Sequence, residues 1–381
     1  MICYEGEPNV GAVVDDDDIN AVVCEIAKFK DPNYNHHITI EKFEEIFKSK
    51  IFCDYAISVN SCATGLDMVL HSLDIVPGDE VISCAINFHG THLSIIHSGA
   101  KLVLVEADDN LNINMNDLAK KITPRTRAIL VTHMNGLASD INSLKEIIEG
   151  TDIKLIEDAA RALGSKYDSK YVGQNSWACV FSFQYKKQIT TLGEGGMIVT
   201  NDKQLYEKLI NYRSFGMGCV WGTNYKMTSV QAAMGISQIQ KMERIIELRR
   251  KIAKVRNEFI KKHLPYFKIP MDNNVFYNSY YIYTLLTPDT WNKQMRDQLL
   301  YKLKIESNIS ALVANEPTYF TNKYIKNNCD ITDLKYSEWL GEHIICLPIH
   351  PNMSDQYNEY LLQEFLRLVR QIENNYERIK F

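Results

Sequence analysis

No stretch of this 381-residue sequence stays apolar for the roughly 20 residues that a helix needs to cross a bilayer, so a membrane-spanning helix is not expected. The opening residues, MICYEGEPNV, lack the basic and apolar regions of a secretory signal, and the expected compartment is the cytoplasm. A surplus of positive charge is missing as well. With a formal net charge of −5 and acids and bases mixed along the chain, there is no electrostatic reason to expect nucleic acid or an anionic membrane as partner. The nine cysteines are scattered singly, with no C-x-x-C pair, and an odd number cannot all be disulfide-bonded within one chain. Several lie in apolar runs, such as Cys179 in WACVFSF and Cys346 in IICLPI, which suits reduced, buried thiols. No ligand spacing for a metal ion is present, and neither is an internal repeat. The densest charge run, Asp15 to Asp18, reads as a solvated face.

What the chain does contain is alternation. From about residue 50, short apolar runs (YAISV, EVISCAI, AKLVLVEA, RAILVTHM, IKLIED, ACVFSF) are separated by helical patterns such as ATGLDMVLHSL and INSLKEIIEG. Most of the runs are apolar on consecutive positions, as strands covered on both faces are, which predicts an α/β domain with a mainly parallel sheet. After Asn224, one long helical pattern extends to about Leu264, with Thr228 and Gln231 forming a capping box at its start. Strand-like SYYIYTLL, NISALV and IICLPIH follow, with a last helix from about Asp355. The expected division is a large domain over residues 1–250 and a smaller C-terminal α/β domain over 251–381.

In such folds ligands gather where strands end, which directs attention to four places. FSFQYKKQITTLGEGG puts Lys186 and Lys187 after a strand, among threonines and glycines and away from carboxylates. A lysine so placed gives up its proton more readily than a solvated or ion-paired one. Asp158 closes IKLIED, either as a helix N-cap for AARAL or as an acid at the mouth of the sheet. Phe88 follows EVISCAI, as a core aromatic or a stacking plate. Ser61 to Gly65 lie between a strand and a helix start, where free N–H groups can hold a phosphate or simply be capped. An amine, an acid, an aromatic plate and a phosphate cradle together are what pyridoxal phosphate requires. His36 and His37 read as surface residues, and His89 and His92 as structural ones that could also face the pocket.

These segments resemble those of the DegT/DnrJ/EryC1/StrS sugar aminotransferases, in unbroken order from about residue 40 to 240 and again at LPIHPNMSD. PGDEVI, GAKLVLVEAD, ITPRTRAI, IEDAARALGSKY, FSFQYKKQITTLGEGGMIVTND, RSFGMG and GTNYKMTSVQAA carry the likeness. The resemblance implies the aspartate aminotransferase-like fold type I and pyridoxal 5'-phosphate as cofactor. It implies that Lys187 is the Schiff-base lysine and Lys186 a bystander. Asp158 then meets the pyridine nitrogen, Phe88 stacks on the ring, and Ser182 with the turn Cys62, Ala63 and Thr64 holds the phosphate. Asn224 corresponds to a residue that reaches the neighbouring subunit's cofactor, implying a homodimer with shared active sites.

Three departures from the family pattern stand out. Ala63 replaces a threonine, with Thr64 one residue on. Arg161 replaces a glutamine or histidine, within reach of the cofactor's phenolic oxygen or a substrate anion. ALVANEPTYF, residues 311–320, replaces a histidine-rich substrate strand. The implied reaction is a two-half transamination, from an amino acid (L-glutamate in most of the family) to a ketosugar, most often a nucleotide-linked 4-keto-6-deoxyhexose. A 3-keto sugar or a small phosphorylated ketose is the alternative acceptor. The family's dehydratases have histidine in place of the lysine, so Lys187 speaks against that branch. A regulator without catalysis would have no need of the full set.

Overall fold

The computed structural model describes residues 10–379. Its centre is an eight-stranded sheet built from β1 (Tyr55–Val59), β2 (Glu80–Cys84), β3 (Lys101–Val105), β4 (Thr126–Thr132), β5 (Lys154–Asp158), β8 (Ala178–Ser182), β9 (Gly196–Thr200) and the short β12 (Cys329–Asp330). Between β5 and β8 lie the two-residue strands β6 (Lys166–Tyr167) and β7 (Lys170–Tyr171), which form a side sheet with β10 (Phe276–Tyr277). The central order is β1-β9-β8-β5-β4-β2-β3-β12, and only β9 runs against its neighbours. The expected mainly parallel sheet is therefore present. Residues of β4, β5 and β8 are buried on consecutive positions, which is why these strands read as unbroken apolar runs.

Helices cover both faces. Along the first part of the chain these are α1 (Asp16–Lys28), α2 (His37–Ile51), α3 (Cys62–His71), α4 (His89–His97), α5 (Met115–Lys121), α6 (Ile141–Ile148) and α7 (Lys203–Arg213). One core layer joins Val59, Leu66, Val69 and Leu205 to the sheet residues Val180 and Ile198. On the other face Phe47 packs edge to face on Phe181 and Phe183, and Phe43 lies tilted on Phe183, with centroids 5.2–5.7 Å apart.

The long helical pattern after Asn224 is two helices, α8 (Ser229–Gln240) and α9 (Met242–His263), jointed at Lys241. The predicted capping box of Thr228 and Gln231 is present. The residue at the joint is held by the acidic run. Asp15, Asp16 and Asp17 are exposed, as expected of the run, with Asp15 capping α1, whereas Asp18 is fully buried. The ammonium of Lys241 reaches both Asp15 and Asp18, the latter at 2.9 Å.

Beyond α9, β11 (Tyr283–Leu286) pairs with β13 (Ile344–Leu347). The helices α10 (Lys293–Ser307), α11 (Thr318–Thr321), α12 (Lys323–Asn327), α13 (Lys335–His343) and α14 (Asp355–Ile379) surround this pair. A second core gathers Leu285, Leu299, Leu347, Leu361 and Phe365. NISALV is not a strand. It touches β13 through a single bridge, Leu312 to Cys346, because the chain turns away afterwards to pass the end of β2. No disulfide joins the eight described cysteines, and Cys84, Cys179 and Cys346 are buried. Among the described residues no helix is long and apolar enough to cross a membrane, and no metal-binding cluster is found.

Candidate active site

The site lies where β2, β4, β5 and β8 end. Asp158, the last residue of β5, is 3 % exposed. The chain after it forms turns and not the helix that AARAL suggested, so Asp158 caps a turn: its Oδ1 accepts from Ala160 N at 2.9 Å. Its Oδ2 accepts from Thr91 Oγ1, on α4, at 2.6 Å. No cation lies within ion-pairing distance of this carboxylate among the described residues. An ionised carboxylate buried without a cationic partner is costly. The arrangement fits a ligand that brings its own cationic N–H, as a pyridinium ring does.

Lys187 follows β8 on a turn and is half-buried, while Lys186 is exposed. Lys187 Nζ stands 4.8 Å from the centroid of the buried Tyr281 ring and has no carboxylate partner among the described residues. Burial pushes the Cys62 thiol well above its ordinary range, with Asp158 adding to the rise and Lys187 opposing it.

The phosphate end is assembled by a close approach of backbone. Gly196 of β9 pairs with Ser182 on one side and Val59 on the other, and a Cβ on Gly196 would fall 2.6 Å from Ser61 C and 2.7 Å from Cys62 N. Only glycine lets the strand pass that near the start of α3. Ser61 caps the helix through Thr64 N, at 3.2 Å. This leaves the N–H groups of Cys62 and Ala63 at the positive end of the helix, beside Ser182. The Thr64 hydroxyl donates to Asn60 Oδ1 at 2.6 Å and belongs to the cap. The donor set fits a phosphate: backbone N–H groups, a serine hydroxyl, and a thiol held neutral.

Phe88 is 58 % exposed at the start of α4, which suits an open plate better than a core aromatic. Arg161 lies 6.0 Å from the centroid of Phe88 and 5.6 Å from that of Tyr281. Asn224 does not join this group. It lies on the loop before α8, bridged to Ser214, and its side chain accepts from Lys226 N at 3.4 Å.

His92 is structural. Its Nε2 donates to Cys84 O at 3.0 Å, so its Nδ1 accepts from Thr318 Oγ1 at 2.7 Å, and burial lowers its pKa to about 3. His89 bonds Thr321 Oγ1 at 2.8 Å. His36 and His37 lie against each other, tilted, in exposed positions. Sequence reasoning missed Thr91, Tyr281, Asn135 and Asn315. Asn315 arrives on the segment 311–320, which lies along the end of β2 through the bridge of Ile86 to Pro317. The departure of that segment from the family pattern was the only signal for it.

Comparison with known proteins places this geometry in context. The model of the DegT/DnrJ/EryC1/StrS aminotransferase family matches residues 16–365. GDP-perosamine synthase of Escherichia coli O157:H7 is 32% identical over 333 residues, which cover 85% of this chain and 88% of that protein. The solved structure of a Helicobacter pylori aminotransferase involved in the biosynthesis of pseudoaminic acid is similar with a TM-score of 0.87 and 25% identity, covering 96% of this chain and 100% of the other. The E. coli GDP-4-keto-6-deoxy-D-mannose-3-dehydratase, solved with bound hydrated pyridoxal phosphate, shares the fold at a TM-score of 0.84 and 22% identity, over 94% of this chain and 99% of its own.

Proposed function

The chain belongs to the DegT/DnrJ/EryC1/StrS aminotransferase family, with fold type I and pyridoxal phosphate as cofactor, and we propose that it moves an amino group from L-glutamate to a nucleotide-linked ketosugar. The favoured acceptor is a 4-keto-6-deoxyhexose, in the making of a glycan or a secondary metabolite. The relative named for GDP-perosamine synthesis supports the sugar reading. Lys187, retained where a dehydratase would have histidine, supports transamination over dehydration.

One observation carries the assignment. Asp158, a buried carboxylate with no cation, and Lys187, an amine with no carboxylate among the described residues, stand at the ends of the paired strands β5 and β8. When bound, pyridoxal phosphate supplies an exchangeable carbonyl and an electron sink for the substrate's α-carbon. The chain's own residues do the rest. Lys187 Nζ anchors the cofactor and, once released, takes the proton from the donor's α-carbon and delivers one on the acceptor side. Asp158, oriented by Thr91 and Ala160 N, accepts the pyridine N–H. Phe88 would stack on the ring, and Arg161 would reach its phenolic oxygen or a substrate anion. Ser182 and the N–H groups of Cys62 and Ala63 would hold the phosphate, with Thr64 shaping the turn through the cap.

The working unit we infer is a cytoplasmic homodimer in which Asn224 serves the partner's site. The exposed apolar residues of the preceding loop, Phe215, Met217, Val220 and Trp221, support an interface there. To test the function, purified protein would be given L-glutamate and a panel of nucleotide ketosugars, with 2-oxoglutarate and amino sugar followed by mass spectrometry. Nitrogen reaching small keto acids but no ketosugar would sink the sugar reading.

A further inference from the structure

The guanidinium of Arg161 has an unusual set of partners. Its Nη1 donates to Asn135 Oδ1 at 2.9 Å and to Asn315 Oδ1 at 2.6 Å, and no carboxylate lies within 4.0 Å among the described residues. The two amides are themselves fixed. Asn315 Nδ2 donates to Asn135 Oδ1 at 2.9 Å, and Asn135 Nδ2 donates to Thr284 Oγ1 at 2.9 Å. That chain of donors forces both amide oxygens toward the cation. Both asparagines occupy left-handed backbone, with φ of 54° and 70°, where asparagine is among the best tolerated of the non-glycine residues. The outcome is a positive charge that is aimed but not neutralised. Its Nε and Nη2 donate to nothing among the described residues.

Arg161 and Lys187 sit at 5.6 and 4.8 Å from the same Tyr281 ring, so the guanidinium and the reactive amine share an aromatic neighbour. Transamination requires the two substrates to use one pocket in turn. The donor carries a carboxylate on the very carbon that gives up nitrogen, whereas a ketosugar carries no charge next to its carbonyl. We propose that Arg161 binds the α-carboxylate of the amino donor, making it the residue that separates donor from acceptor. The proposal rests on the transaminase reading above.

The test separates the two halves of the reaction. Holoenzyme in the pyridoxal form is mixed with L-glutamate or with its α-amide, and the change in cofactor absorbance is followed. The pyridoxamine form is mixed with the ketosugar. A charge-assisted, two-bonded carboxylate contact is worth roughly 100-fold, so Arg161→Gln should cut kcat/KM for glutamate on that order. The α-amide should lose far less, on the order of threefold, and so should the ketosugar half. Arg161→Lys should recover part of the glutamate rate. Asn315→Asp, which keeps the side chain's shape but pairs the guanidinium internally, should raise KM for glutamate about tenfold. Calorimetric titration of the holoenzyme with 2-methyl-L-glutamate, which has no α-hydrogen to lose, should show the same weakening in Kd. Equal losses with glutamate and its amide would overturn the proposal, as would a loss confined to the ketosugar half. If the unsubstituted protein shows no absorbance change with any of these substrates, it is the transaminase reading that fails.

Discussion

Asp158 shows how a single residue can be legible in type and not in setting. Its place at the end of an apolar strand is visible in IKLIED, but the hydroxyl that orients it, Thr91, stands 67 residues away and carries no mark of its own. The same holds for Asn135 and Asn315, which meet across 180 residues. Pattern reading finds residues that a strand delivers to a rim, and it misses those brought there by tertiary packing. At this scale the first prediction is that Asp158→Asn cuts turnover by about 10²–10³-fold while the protein still takes up cofactor, because a fixed charge facing the reacting system is lost. Steady-state kinetics beside a cofactor-uptake titration would check it.

A second residue-scale prediction concerns pH. His92 is buried neutral, with its pKa lowered from 6.5 to about 3. The unfolded chain therefore takes up a proton below pH 6.5 that the folded chain refuses, and stability falls as pH drops through that window. The loss from this one group reaches about 2 kcal/mol at pH 5. His350, lowered to about 4 by burial and then Arg249, adds in the same direction. Urea unfolding at pH 7 and pH 5 should show a smaller loss for His92→Gln than for the unsubstituted chain.

At the scale of elements, the strands of the central sheet were readable because burial on both faces leaves an unbroken apolar run. The joint between α8 and α9 was not, because Lys241 is compatible with a continuous helix and the acids it answers lie more than 200 residues earlier. Lys241→Met should leave Asp18 buried without its cation and cost about 3 kcal/mol, measured by chemical denaturation. The approach of β9 to α3 offers a sharper test. Gly196→Ala would drive a methyl into the backbone of Ser61 and Cys62, costing about 1–3 kcal/mol and weakening cofactor retention, since the contact it breaks shapes the phosphate turn. Dialysis followed by absorbance would reveal the second effect apart from the first.

For the whole molecule, Asn224 poses the question of shared sites, since within one chain it joins neither Lys187 nor Asp158. Refolding an equal mixture of Lys187→Ala and Asn224→Ala chains should restore activity to about a quarter of the unsubstituted sites, because each mixed dimer regains one site whose lysine and asparagine are both intact. Chains that complete their own sites would restore none. The resemblance to a known family supplied the dimer expectation, for nothing in the periodicity of a single chain can show a partner.

Every role assigned here returns to the nitrogen of Lys187. Holoenzyme reduced with borohydride, digested and mapped by mass spectrometry should carry the phosphopyridoxyl mass on the peptide containing QYKKQ, at Lys187 and not Lys186, and L-glutamate added before reduction should abolish it. A label on Lys186, or protein that stays colourless and unlabelled after incubation with pyridoxal phosphate, would contradict the account.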